Sequence, residues 1–150
     1  MKKLLILLFS ILISFNSYGL FGLFEKTICV ETDALYNKKD SFIYLPPGTK
    51  PFSGKNLCKY KNGQNKSKGK VKDGKRIGIW TGWYNNGQKE YEGNRKDGKD
   101  GKWTGWYKNG QIHFEGHWKN DRWNGKWTFW NENGQKTSEK YYKDDYPVKN

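Results

Sequence analysis

Gly78-Ile79-Trp80-Thr81-Gly82-Trp83-Tyr84-Asn85-Asn86-Gly87-Gln88 decides the fold, because its landmarks return along the chain. Asn-Gly-Gln occurs at Asn62–Gln64, Asn86–Gln88, Asn109–Gln111 and Asn133–Gln135, with the glycines 24, 23 and 24 residues apart. Gly54, Gly78, Gly101 and Gly125 open the units, and Trp80, Trp103 and Trp127 follow the last three by two residues. A fixed period of this length marks a repeat architecture. Within the unit, Ile79–Tyr84 is aromatic and β-branched and bounded by turn residues, which predicts a strand. Asn85-Asn86-Gly87 predicts a hairpin turn, with asparagine and glycine both supplying positive φ. Lys89–Arg95 predicts a second, more polar strand, and Lys96–Gly101 the turn into the next unit.

Parity then describes the sheet. Trp80, Gly82 and Tyr84 fall on one face of the strand, Thr81 and Trp83 on the other. Both faces carry a large ring, while lysines and glutamates fill the intervening strands, so neither suits the dry core of a thick sandwich. The prediction is an all-β protein: an elongated, twisted antiparallel meander sheet of about four 23–24-residue β-hairpin repeats. Trp80, Trp103 and Trp127 would stack as one ladder, and Trp83, Trp106 and Trp130 as another on the opposite face. Gly82 and Gly105 would leave bare backbone for rings of adjacent strands, with Phe129 replacing this glycine in an atypical terminal unit.

Outward from the array, residues 1–19 read as a Sec-type signal peptide: Lys2-Lys3, an apolar run from Leu4 to Phe15, then Ser17-Tyr18-Gly19 ahead of Leu20. The run is shorter than the roughly 20 apolar residues that span a bilayer. The expected location is periplasmic or secreted, after cleavage near Gly19-Leu20. Cleavage removes two of 28 basic residues, and 26 basic against 15 acidic side chains leave +11. Only Arg76, Arg95 and Arg122 are arginine. Lysine is a solvated point charge rather than a bidentate fork, so the composition disfavours nucleic acid and points to an anionic membrane surface, an envelope polymer or an acidic protein. Solubility alone accounts for the charge equally well. Cys29 and Cys58 permit one disulfide in an oxidising compartment; the alternative is two separately buried thiols.

The repeated Gly-x-Trp-x-x-aromatic-Tyr-x-Asn-Gly-Gln, followed by a polar strand and a Lys-Asp-Gly-type turn, resembles the bacterial variant of the MORN repeat. The resemblance covers Gly54 to about Tyr146 and is best at Gly78 and Gly101. The unit at Gly54 departs from it, with Asn56 at the tryptophan position and Lys59 at the first aromatic, as suits a unit facing a different neighbour. What the resemblance implies is a protein described by its repeats. Some members are labelled antitoxin components, and MORN repeats elsewhere are linked to membrane lipids and protein contacts. Residues 20–53 are expected to form an N-terminal β cap from strands Thr27–Glu31 and Ser41–Leu45, residues 54–146 the array, and residues 147–150 a tail.

No residue pattern specifies a reaction. His113, Glu115 and His117 share a strand face, but residues two apart are separated by roughly 6.5–7 Å, too far for one metal ion to hold all three. No catalytic, metal or cofactor site is assigned. The aromatic surface is the better candidate, although a single-layer sheet needs rings for its own core. Trp123 falls in an expected turn from Asn120 to Gly125 and is not explained by the repeat; with Arg122 and Lys119 it forms the candidate contact surface, expected to be exposed. The sequence therefore predicts an exported, non-enzymatic scaffold binding a protein or cell-envelope polymer. The alternatives are an anionic membrane-binding module and an antitoxin-like partner of a toxin. The native protein should begin at Leu20 on N-terminal sequencing; an intact Met1 in a cytosolic fraction would overturn export.

Overall fold

A computed structural model describes residues 25–96 and 98–149, and the apolar start with its cleavage position lies outside these. The described residues hold twelve strands and no helix. The cap contributes β1 (Thr27–Ile28), β2 (Leu35–Asn37) and β3 (Phe42–Tyr44). Four hairpins follow: β4 (Gly54–Lys59) with β5 (Asn65–Lys72), β6 (Lys75–Trp83) with β7 (Lys89–Arg95), β8 (Lys99–Trp106) with β9 (Ile112–Lys119), and β10 (Arg122–Trp130) with β11 (Lys136–Lys143). A short β12 (Tyr146–Val148) ends the chain. From β4 to β12 each strand pairs antiparallel with the next, so the predicted meander is the observed architecture.

Tryptophan and glycine alternate across the aromatic face. Trp80 pairs with Gly93, Gly93 with Trp103, Trp103 with Gly116, and Gly116 with Trp127. The three indoles thus occupy one row, but a glycine strand separates each from the next, and each ring lies on the backbone of the strand before it. A Cβ on Gly69, Gly93 or Gly116 would stand 2.3, 2.0 or 2.1 Å from the indole of Trp80, Trp103 or Trp127. The indole N–H reaches the carbonyl of the residue just past that glycine: Trp80 Nε1 to Lys70 at 3.2 Å, Trp103 to Asn94 at 3.0 Å, Trp127 to His117 at 3.1 Å. All three side chains are buried. A second row repeats the device, with Tyr91 lying over Gly82 and Phe114 over Gly105. Diagonally, Tyr91 stacks on Trp103 at 6.0 Å and Phe114 on Trp127 at 5.7 Å.

The opening glycines aim these rings. Gly78, Gly101 and Gly125 have φ of 65°, 79° and 72°, and pairing with the preceding strand slips at each of them. Such a bulge re-aims the side chains that follow, and glycine takes its left-handed residue at least cost. Gly101 is therefore a bulge inside β8, not the end of a turn. That is why β8 starts at Lys99, within the segment expected to turn.

The Asn-Gly-Gln loops are three-residue hairpins. The N–H of Tyr84 donates to the Gln88 carbonyl and that of Gly87 to the Tyr84 carbonyl, with φ of 86° at Gly87. Positive φ belongs to glycine alone in these loops. Asn86 instead accepts the Gln88 N–H through Oδ1 at 3.1 Å and donates through Nδ2 to the Lys108 carbonyl of the next repeat at 2.9 Å. Tyr84 likewise sends its hydroxyl to the Trp106 carbonyl at 2.9 Å. Tyr60 with Asn62, and Tyr107 with Asn109, do the same one unit earlier and later.

The cap differs from expectation in pairing. β3 forms a separate two-stranded sheet with β2, whereas β1 docks parallel on β4. The reason is Asn56, fully buried at the tryptophan position of the first unit. Its Oδ1 accepts the Val30 N–H at 2.9 Å and its Nδ2 donates to Ser67 Oγ at 3.1 Å, so the amide ties the cap to the array's edge. Cys58, two residues on, is bonded to Cys29, a link that should contribute on the order of 3 kcal/mol by restricting the unfolded chain. Ile28, Val30, Ile43 and Phe52 then pack against Val71 and Trp80 as one core cluster. At the far end β12 pairs with β11 through Val148, so residues 147–148 are strand rather than tail.

Gly116→Ala should destabilise the protein by about 2–3 kcal/mol, because its methyl would enter the Trp127 ring. Gly63→Ala, at a turn with open space around it, should cost only about 1 kcal/mol from its positive φ. Urea unfolding that ranks the two in the opposite order would remove the ring-on-backbone core.

Candidate functional site

The two faces of the sheet differ in how their charges are used. On the ionic face, Thr81, Glu92, Thr104, Glu115, Thr128 and Glu139 pair in a continuous row across six strands. Lys89 bonds Glu92 at 2.8 Å, Lys102 bonds Glu115 at 2.9 Å, and Lys126 and Lys136 bond Glu139 at 3.0 and 3.2 Å. The Lys89 hydrogen bond, together with Thr81, holds the Glu92 carboxyl below its usual range. Trp83, Trp106 and Trp130 lie half-buried, and Lys89, paired with Trp83 and 5.5 Å over the Trp106 ring, separates the first two of this expected second ladder, while Ile112 pairs with Trp106 on its other side. Exposed pairs of this kind contribute little to stability, but they satisfy their cations.

On the aromatic face the cations have no such partners. The Arg76 guanidinium lies 4.7 Å over Trp80 and that of Arg95 5.3 Å over Trp103. Lys99 lies 5.0 Å over Trp103 and 4.0 Å over Trp118. Among the described residues no carboxylate is within ion-pair distance of Arg76, Arg95 or Lys99. Burial pulls the Arg95 guanidinium below its ordinary value and Arg76 adds to this; burial and then Arg95 pull Lys99 down. Arginine remains charged regardless. Nε of Arg95 is buried without a hydrogen-bond partner, as is Nε1 of Trp118.

Register explains the gathering. Arg95 at the end of β7 pairs with both Gly78 and Lys99, and Arg76 on β6 pairs with Val71. These positions lie just beyond the tryptophan row, where the cap hairpin stands opposite. Between them is a cleft of about 430 Å³, walled by Tyr36, Asp40, Phe42 and Ile43 of the cap and by Arg76, Arg95 and Asp121 of the array.

The expected contact surface divides. Lys119 and Arg122 are exposed and pair across the turn at Asn120 and Asp121, whose φ values are 51° and 63°. Trp123 is not exposed as expected: it lies in β10, half-buried, because a two-residue turn starts the strand at Arg122 and places Trp123 opposite Trp118. Its ring stacks on Trp127 at 4.2 Å and meets Trp118 and Tyr142 edge-on at 6.2 and 5.0 Å. Its N–H donates to Asp145 Oδ1 at 2.7 Å. The Arg76–Arg95–Lys99 group went unassigned from sequence. Its one available signal was the rarity of arginine, since two of three arginines converge on this cleft. His113, by contrast, packs on Tyr107 at 4.4 Å, and Glu115 is engaged by Lys102.

A family model described as MORN repeat variant matches residues 76–97, 99–120 and 123–144. The chain thus carries three repeats of this type, coinciding with the hairpins β6–β7, β8–β9 and β10–β11. The first hairpin keeps the turn residues but lies outside the match, consistent with Asn56 and Cys58 serving the cap instead. Neither the comparison with curated proteins nor that with solved structures gives a match.

Trp123→Ala should cost about 3 kcal/mol or more through lost ring contacts, whereas Arg122→Ala should stay within about 0.5 kcal/mol. Chemical denaturation of the two variants checks this; a neutral Trp123→Ala would return that ring to the surface.

Proposed function

We propose that the protein is an exported, non-enzymatic binding scaffold that holds a protein partner against its aromatic face. The observation that carries this reading is the difference between the faces: Lys89, Lys102 and Lys126 of the ionic face are taken by glutamates, while Arg76, Arg95 and Lys99 rest on indoles without a carboxylate. Aromatic and arginine side chains are also the types that most often anchor protein interfaces. The cap covers this face only as far as Trp80, and Phe114, Trp118, Trp123 and Phe129 remain half-buried beyond it. The MORN-variant repeats fit a scaffold that acts by binding rather than by catalysis. Export rests on the leader pattern before Leu20 and on the Cys29–Cys58 link, which suits an oxidising compartment.

Affinity capture from the native envelope fraction tests the proposal, with wild type beside Arg76→Gln/Arg95→Gln and Lys119→Gln/Arg122→Gln. A protein retained by wild type and by the turn variant, and lost from the Arg76/Arg95 variant, is the expected result. Loss only from the turn variant would move the contact to Lys119 and Arg122. Co-sedimentation with anionic vesicles, with no protein captured, would replace the reading with membrane attachment.

A further inference from the structure

We infer that the ionic face of the first hairpin is a docking trough for an extended acidic segment of a partner protein, held by Lys68 and Lys70. This goes beyond the aromatic-face reading and does not depend on it. The sign of the charge reverses where the array begins. The threonine–glutamate row continues backwards from Thr81 to Lys68 and from Lys68 to Leu57, so Lys68 stands where the later hairpins place Glu92, Glu115 and Glu139. The residues that follow the four opening glycines are Lys55, Ile79, Lys102 and Lys126. The third and fourth hairpins set Lys102 against Glu115 and Lys126 against Glu139. The first instead sets Lys55 diagonal to Lys68 and directly opposite Lys70. Like charges facing each other across a strand pair destabilise it.

The chain covers only part of this excess. Lys55 pairs with Glu25 at 3.4 Å, and Lys66 pairs with Glu31. Lys68 and Lys70 are exposed, and among the described residues no carboxylate is within ion-pair distance of either. Residues 1–24 contain no aspartate or glutamate. The Lys102–Glu115 and Lys126–Glu139 pairs are the chemistry that the same positions accept elsewhere on this face, and a ligand carboxylate beside Lys68 reproduces it.

Shape narrows the class further. The two lysines border a trough of about 550 Å³ whose described lining includes Thr27, Leu57, Ile77 and Ile79. Ile79 is 59% exposed at a position where the three other hairpins carry lysine, while Leu57 and Ile77 are half-buried. A polyphosphate or anionic sugar chain brings no apolar group to these side chains. A flat lipid surface does not enter a recess to reach Leu57 and Ile77. An extended peptide meets both demands, because its alternate side chains share one side at a spacing of roughly 6.5–7 Å, the spacing of Lys68 and Lys70 along β5. Two acids two residues apart then face the lysines, and an apolar residue beyond them reaches the Leu57, Ile77 and Ile79 side chains.

The test titrates the full oxidised protein with acetyl-Glu-Thr-Glu-Thr-Leu-amide at low ionic strength, where exposed charges are least screened, and follows its backbone and indole ¹⁵N–¹H signals. Saturable shifts should fall on β4, β5 and β6, while the indole signals of Trp103 and Trp127 on the opposite face stay in place. The analogue with glutamine for both glutamates should shift nothing, and the analogue ending in serine should bind at least threefold more weakly. Lys68→Gln and Lys70→Gln should each weaken binding fivefold or more. Lys143→Gln, the same change of charge at the far end of the array, should alter it less than twofold. Equal weakening by all three variants would reduce the trough to general attraction and overturn it. Equal binding of the leucine and serine peptides would overturn the apolar part and with it the peptide assignment. Polyphosphate moving the same amides at tenfold lower concentration would replace the acidic peptide with a polyanion. Co-sedimentation with anionic vesicles that disappears in Lys68→Gln/Lys70→Gln would replace it with a membrane surface. Shifts of the Trp103 and Trp127 indoles without change in β5 would overturn the placement.

Discussion

An indole laid flat on the bare backbone of a neighbouring glycine is the interaction on which this molecule depends. A single-layer sheet has no second layer against which to bury apolar surface, so it must bury its rings on itself. Trp80, Trp103 and Trp127 do so over Gly69, Gly93 and Gly116, each closing the contact with an indole hydrogen bond to the same neighbouring strand. Removing roughly 150 Å² of ring from water is worth about 4 kcal/mol at ~25 cal/mol/Å², an upper figure because unfolded chains already bury part of their surface. Any side chain at the glycine would take the ring's place. Tryptophan and glycine are therefore one element placed on two strands, and the hairpin length that brings them together sets the period.

Cohesion between units comes from the same economy of neighbours. The tyrosine and asparagine of the first three Asn-Gly-Gln loops bond carbonyls of the next unit, and the loop's glutamine carboxamide covers the next loop's glycine. Each unit is then fastened only to those beside it, as in other repeat proteins. The ends change accordingly. Asn131 replaces the loop tyrosine where no further unit offers a carbonyl, and its Oδ1 turns inward to accept the Asn133 and Gln135 N–H groups at 3.1 and 3.0 Å. Asn56 and Cys58 replace tryptophan and glycine where the cap, rather than another repeat, is the neighbour.

The second consequence is chemical asymmetry. Alternating side chains put threonine, glutamate and lysine on one face, where Lys89, Lys102, Lys126 and Lys136 pair with glutamate, and the buried indoles on the other. Cations that ride on those rings are partly desolvated and crowded, which lowers both Arg95 and Lys99 from their usual values. A fold selecting for stability alone would gain little from such a group. Its position is beside the cap, where the aromatic face becomes a cleft.

Residue by residue, the meander, the hairpin repeat and the tryptophan row were legible in the sequence, because period and strand parity depend only on local spacing. The bare backbone at Gly82 and Gly105 was legible for the same reason, and Tyr91 and Phe114 fill it. Pairing and burial were not. Trp123 reads as a turn residue until the positive φ of Asn120 and Asp121, the second held by hydrogen bonds to the Lys99 backbone, shortens the turn and sends the ring into a cluster. The β1 docking on β4 is fixed in part by a buried asparagine amide 26 residues from the backbone it bonds, a separation no local pattern encodes. The site is the extreme case, since Arg76, Arg95 and the cap hairpin become neighbours only through register and the packing of a separate sheet. Periodicity determined the repeating scaffold; long-range pairing alone decided which of its many charges converge.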